Sequence, residues 1–148
     1  MKMKIKMDID LEFLNYIYQN AEMGKNTIRQ LINIVDDTSF KQKLDSQLKE
    51  YNEIFDIAHN KTEEAKKASK GIAGFTKLTT YFMININTLI NKSPSHVAEM
   101  IIQGSTMGII DVTKKLKEYK DAHKEIIALA QMLLTFEQQN VEEMKKFL

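Results

Sequence analysis

The chain has 148 residues, a length at which one hydrophobic core can close without disulfide or metal staples. It contains no cysteine, which excludes disulfide frameworks, thiolate zinc sites and cysteine nucleophiles. Its 21 basic and 20 acidic residues leave a net charge of +1, too small for nucleic-acid binding driven by bulk charge.

The N-terminal run MKMKIKMDID is basic and partly apolar, but Asp8, Asp10 and Glu12 arrive before any apolar run of signal-peptide length. We read it as a lead-in to the first helix rather than an export signal. No stretch approaches the ~20 apolar residues of a membrane span, so the expected setting is cytoplasmic, with no membrane partner. One proline, five glycines and no tryptophan, with abundant Lys, Glu, Ile, Leu and Met, form a helical composition.

Apolar residues at Leu11, Leu14, Ile17, Ala21, Ile28, Leu31 and Val35 predict a first helix over about 10–35. Asp36, Asp37, Thr38 and Ser39 break it, and any of the last three can cap the next helix. Phe40, Leu44, Leu48, Tyr51, Phe55, Ala58 and Ala65 carry that second helix over about 39–67. Gly71 and Gly74 then interrupt the chain, and a shorter helix over about 75–91 is expected from Phe75, Leu78, Phe82, Ile86, Leu89 and Ile90. Ser93-Pro94 supplies a cap and a first-turn proline for a fourth helix over 94–119. A fifth follows over 121–147, with its turn at Lys120 or Asp121.

No repeat or flexible linker interrupts this plan, so residues 1–148 are expected to form a single all-α domain. Two hairpins of long helices, with a shorter helix between them, predict a ferritin-like up-down four-helix bundle with an additional crossover helix. At ~1.5 Å per residue, a crossover helix of about 17 residues spans roughly 25 Å, nearly the length of such a bundle. A five-helix array is the alternative.

Two runs, LNYIYQNAEMGKNTIRQLI in the first helix and SPSHVAEMIIQGSTMGIID in the fourth, together with the helix plan resemble a small, uncharacterised bacterial family that looks ferritin-like. The resemblance covers about the whole chain and implies a fold but no established reaction. Ferritin-like di-iron proteins carry a Glu on each of two helices and a Glu-x-x-His on each of the other two. Here the corresponding positions offer Glu22, Glu50-x-x-Glu53, Glu99 with Gln103, and Glu137-x-x-Asn140, so neither Glu-x-x-His is present.

Turning each helix by ~100° per residue tests which candidates face inward. Glu22 and Glu50 fall at the margins of their apolar stripes, and Glu53 points away. On the fourth helix the inward face is Val97, Ile101, Gly104, Ser105, Gly108, Val112 and Leu116. His96 and Glu99 lie off that face, so His96-x-x-Glu99 reads as the solvated start of a helix, where an acidic residue is favoured, rather than as a ligand pair.

Gly104, Ser105 and Gly108 strip one helical face of side chains at a cost of roughly 1 kcal/mol per glycine. A close-packed neighbour or a pocket is expected there. Glu137 sits near the centre of the fifth stripe, built on Ile126, Leu129, Leu133, Phe136 and Met144, with Asn140 at its edge. A buried carboxylate needs a partner. Lys25 could form an ion pair; Gln47 or Ser105 could hydrogen-bond it. Alternatively a metal could sit among Glu22, Glu50 and Glu137, where oxygen ligands alone favour a hard or borderline cation such as Fe or Mn.

The function expected from these residues is that of a noncatalytic structural or interaction module without a standard di-iron site. A carboxylate-rich metal-binding protein or oxidoreductase is the alternative, and a pocket beside Gly104 and Gly108 for a small apolar ligand is a third reading. His59 and His123 stand without a serine or cysteine to activate, which points to surface or boundary roles. Met23, Ile34, Ile57, Ile102, Ile110 and Met132 lie off the main stripes, as on helices covered on two sides or at a dimer interface; a homodimer is the association they suggest. No phosphate loop or dinucleotide fingerprint is present.

Overall fold

The computed structural model describes the backbone of residues 2–68 and 89–148, and the side chains of 9–65 and 89–148. Helix α1 covers Lys2–Ile32, α2 Thr38–Ala68, α3 Pro94–Glu118 and α4 Lys124–Lys145. No strand occurs among the described residues.

The first helix begins at Lys2, well before the expected start near residue 10. MKMKIKMDID holds neither glycine nor proline, and its lysines and methionines favour helix. The helix ends at Ile32, three residues earlier than expected. Asn33 and Ile34 donate back to Gln30 and Leu31 in tighter turns, and Val35 is buried beyond them. Asp37 then caps α2: its Oδ1 accepts the Phe40 N–H at 2.8 Å.

The expected crossover helix over 75–91 falls, up to residue 88, outside the described residues. Its expected end is corrected, because residues 89–93 are not helical. Asn91 Oδ1 accepts the Ser93 N–H at 3.0 Å, and Ser93 precedes a proline, where α geometry is disfavoured. Leu89 touches the core, whereas Ile90 is 96% exposed. At the start of α3, Ser93 Oγ accepts the His96 N–H at 3.3 Å with Pro94 in the first turn, as the sequence predicts.

Lys120 and Asp121 lie in the turn from α3 to α4, as expected, but α4 begins at Lys124, three residues later than expected. Tyr119 is the C-cap of α3, Ala122 is buried, and His123 caps α4. His123 Nδ1 accepts the Glu125 N–H at 3.2 Å, while its own N–H donates to Asp10 Oδ1 at 2.7 Å.

Cross-helix contacts give the helix directions. Asp10 meets His123, and Phe13 stacks on Tyr119 with ring centroids 5.2 Å apart, so the start of α1 lies beside the α3–α4 turn. Lys61 pairs with Glu125 at 3.1 Å and Lys43 with Glu143 at 3.0 Å, so α2 runs antiparallel to α4. The order is up, down, down, up. Residues 69–93 consequently join opposite ends of the four-helix bundle.

Buried residues from all four helices form one apolar cluster, including Phe13, Ile17, Phe40, Leu44, Val97, Val112, Leu133 and Met144. The predicted stripes supply most of it. Among the described residues no helix is long and apolar enough to cross a membrane.

Candidate functional site

Midway along the bundle the apolar core gives way to polar groups contributed by every helix. Glu137 of α4 is 3% exposed. The Tyr51 hydroxyl of α2 donates to its Oε1 at 2.8 Å, and the buried Ser105 of α3 stands beside the carboxylate. Burial pushes the Glu137 carboxyl up to about 7, against the opposing effects of Tyr51 and Ser105; no cation among the described residues contributes. Tyr51 is held well above its ordinary value of 10.0, by burial first and then by the Glu137 charge and their hydrogen bond. It remains a protonated donor at any physiological pH.

Glycines make this meeting of helices sterically feasible. A Cβ on Gly24 of α1 would lie 2.8 Å from Tyr51 Cδ1 and closer still to Cε1 and Cζ, so only glycine lets the ring lie against α1. The ring is held from the other side by Phe136, edge-on at 4.6 Å. On α3, a Cβ at Gly108 would rest 3.5 Å from Glu137 Cδ and 3.6 Å from Oε2, in ordinary contact. The expected close approach to the glycine face is therefore made by the Glu137 side chain.

Between α1 and α3 lies a partly open cleft of about 70 Å³, lined by Gly104, Ser105, Gly108 and Glu137 together with Asn20, Gly24 and Tyr51. Met23, Ile28, Met100, Ile101 and Met107 supply its apolar walls. Four of the five residues expected to mark a close contact or pocket thus converge on one feature. Asn140 is buried near Tyr51, outside the cleft lining. Its Nδ2, like both amide atoms of Gln47, makes no hydrogen bond among the described residues.

A second polar group stands farther along α1 and α3. Asn20 Nδ2 donates to the Tyr16 hydroxyl at 3.4 Å. The Tyr16 phenol is raised by burial first, then by the Asp111 charge, with a smaller contribution from Glu137. Asp111 is itself raised by burial, with Lys114 and Lys115 opposing.

Other expected partners go elsewhere. Lys25 does not reach Glu137; its Nζ lies 3.9 Å over the Phe55 ring, where it stays near water while interacting with the aromatic face. Gln47 is buried without bonding Glu137. Glu22 stands beside Tyr18, whose phenol is raised chiefly by burial and then by that carboxylate. Glu50 and Glu99 are exposed on their helices. Glu22, Glu50 and Glu137 accordingly do not converge, and no group of three or more His, Asp or Glu among the described residues could hold a metal.

Tyr51 and Gly24 are the site residues that sequence reasoning misses. Tyr51 falls on the apolar stripe of α2 and reads as core, although a buried phenol also needs a hydrogen-bond partner. Coupled to the need of a buried Glu137 for a donor, that was the available signal. Gly24 interrupts a helix without any turn, which marks a close approach but leaves the approaching group unspecified.

Chemically, the site presents a carboxyl group that titrates near neutrality and is shielded from bulk water. Such a group can bind a cation or exchange a proton with a bound molecule. No family model, curated protein or solved structure matches the chain.

Proposed function

We propose that the protein is a noncatalytic binding module: a ferritin-like bundle without the standard di-iron ligand set that holds a small molecule in the cleft between α1 and α3. The observation that carries this proposal is a buried carboxylate, met among the described residues by neutral groups alone, facing a glycine-opened cleft. Cation-free burial of a carboxylate reduces stability, and ligand recognition offsets that cost in the bound state. The up, down, down, up order of the helices, with one long connection, supports the ferritin-like assignment.

A binding role is favoured over catalysis because the groups that could work with Glu137 are poorly suited to chemistry. His59 and His123 are exposed, the latter serving as a helix cap, and His96 lies in the first turn of α3. Ser105 therefore has no imidazole beside it, and Tyr51 stays protonated. The protein would act in the cytoplasm and self-associate through apolar residues left partly bare, such as Ile110 at 50% and Met132 at 43% exposure. A monomer by light scattering at the highest soluble concentration would remove the self-association part alone.

The test of cleft binding is ligand-observed NMR against a set of small neutral and charged compounds, with native mass spectrometry of the purified protein. Binding should disappear in Gly104→Leu, which fills the cleft from α3 while circular dichroism confirms its helix content. Failure of every compound to bind, or equal binding by this variant, overturns the proposal.

A further inference from the structure

We infer that the cleft takes a small primary alkylammonium ion, with its nitrogen against Glu137 and its alkyl chain along Met23, Met100 and Met107. The inference rests on the cleft being the ligand site and names the chemistry that the site would select.

Charge comes first. Glu137 is buried, and both its hydrogen-bond donor Tyr51 and the neighbouring Ser105 are neutral. Among the described residues, the groups facing it from the other helices are Tyr16 and Asn20 of α1, Tyr51 of α2 and Ser105 of α3; none of these is cationic. Asp111 adds a second negative charge beside Tyr16, with Lys114 and Lys115 near it rather than near Glu137. Lys25, the basic side chain that could have entered from α1, lies over Phe55 instead. A cation brought in by a ligand would supply the missing opposite charge in a medium where the pair is weakly screened.

Shape and donor count then narrow the cation. Gly108 has no side chain to cover the part of the carboxylate that faces it, and both oxygens would lie within 3.7 Å of a Cβ at that position. A hard divalent cation such as Mg2+ or Ca2+ takes six or more oxygens, and the described residues offer no cluster of three ligating side chains. A guanidinium's planar fork would pair with Glu137 through two of its five donors and turn others toward the apolar walls, while a quaternary ammonium calls for an aromatic cage and Tyr51 is the single aromatic among the described lining residues. A primary ammonium has three donors, which the two carboxylate oxygens and Asn20 can share.

The cleft volume of about 70 Å³ is roughly half of the ~150 Å³ that encloses benzene in an engineered cavity, so it suits a head group and a few carbons. Methionines adapt to an alkyl chain at little cost.

The experiment is calorimetric titration of the full chain with n-butylammonium chloride and, separately, with 1-butanol, which has the same carbon chain without the charge. At pH 8 butylammonium should bind at least about ten-fold more tightly than butanol, a difference that should shrink at pH 5.5 as Glu137 takes up a proton. Glu137→Gln should abolish the preference for the cation. Gly108→Ala, which sets a methyl group against the carboxylate, should weaken cation binding, and Gly104→Leu should remove both ligands.

Equal binding of the two probes, lost in Gly104→Leu, overturns the ammonium assignment and leaves cleft binding standing. Butanol binding alone has the same meaning. No binding of either probe to the wild-type chain overturns both ideas, as does binding that Gly104→Leu and Glu137→Gln leave unchanged.

Discussion

The Tyr51 phenol of α2 donates to Glu137 Oε1 of α4 at 2.8 Å, tying together residues 86 positions apart in the polar middle of the bundle. Removing the hydroxyl in Tyr51→Phe leaves an ionised buried carboxylate with one donor fewer. The expected loss is about 1–3 kcal/mol at pH 8, and the Glu137 carboxyl should titrate above its present value of about 7. At pH 5, where Glu137 is protonated, the loss should be smaller. Urea unfolding at the two pH values measures the difference.

Glu137 also makes stability depend on pH. Its carboxyl is raised in the folded protein from an ordinary 4.5 to about 7, so the folded state binds more protons than the unfolded state between those values. Stability is therefore greatest below about pH 4.5 as far as this group is concerned, falls as pH rises to about 7, and levels off above it. The full effect is on the order of 3 kcal/mol. Glu137→Gln should flatten this profile and raise stability at pH 8. An unchanged profile would show that the carboxyl is not buried as described.

Two glycines should respond to alanine with opposite signs. Gly24→Ala drives a methyl group into the Tyr51 ring, and the displacement should outweigh the ~1 kcal/mol gained in helix propensity, for a net loss of about 1–2 kcal/mol. Gly108→Ala meets only ordinary contacts with Glu137, so propensity should dominate and stabilise the protein by about 0.5–1 kcal/mol. Thermal melts of the two variants side by side decide it.

Metal removal should have little effect. Because Glu22 stands beside Tyr18 and Glu50 is exposed away from Glu137, treatment with a chelator should shift the melting temperature by less than about 1 °C. Elemental mass spectrometry after loading with Fe or Mn and desalting should find well below stoichiometric metal. Stoichiometric retention, lost in Glu137→Gln, would revive the metal reading.

The cap of α2 can be measured alone. Asp37→Ala removes the acceptor for the Phe40 N–H and should cost about 0.5–2 kcal/mol, whereas Asp37→Asn should recover most of it. Chemical denaturation of the pair separates the cap's hydrogen bond from its charge.

Local chemistry made much of this fold legible. The spacing of Leu14, Ile17, Ala21, Ile28 and Leu31 permits one buried helical face, and those residues are all in the core. Ser93-Pro94 marks the start of α3 because a hydroxyl acceptor and a first-turn proline each act within one turn of backbone. The boundary at His123 was less legible: its acceptor role depends on a ring orientation, and its N–H is satisfied by Asp10, which is remote in sequence.

The candidate site divides along the same line. Helical periodicity alone brings Gly104, Ser105 and Gly108 to one face and turns Glu137 inward, since those relationships repeat with the pitch of a single helix. Which side chain answers Glu137 is a matter of how helices lie against one another. Lys25 and Tyr51 are both near inward faces, but the lysine can reach Phe55 and remain near water, while the rigid ring of Tyr51 fills the space left by Gly24 and delivers its hydroxyl to the carboxylate. The sequence by itself determined the four described helices in outline, most of their buried faces and the inward carboxylate; the choice of Tyr51 as partner and the opening of the cleft between α1 and α3 were decided only by tertiary packing, because both depend on distances between helices that no single helix encodes.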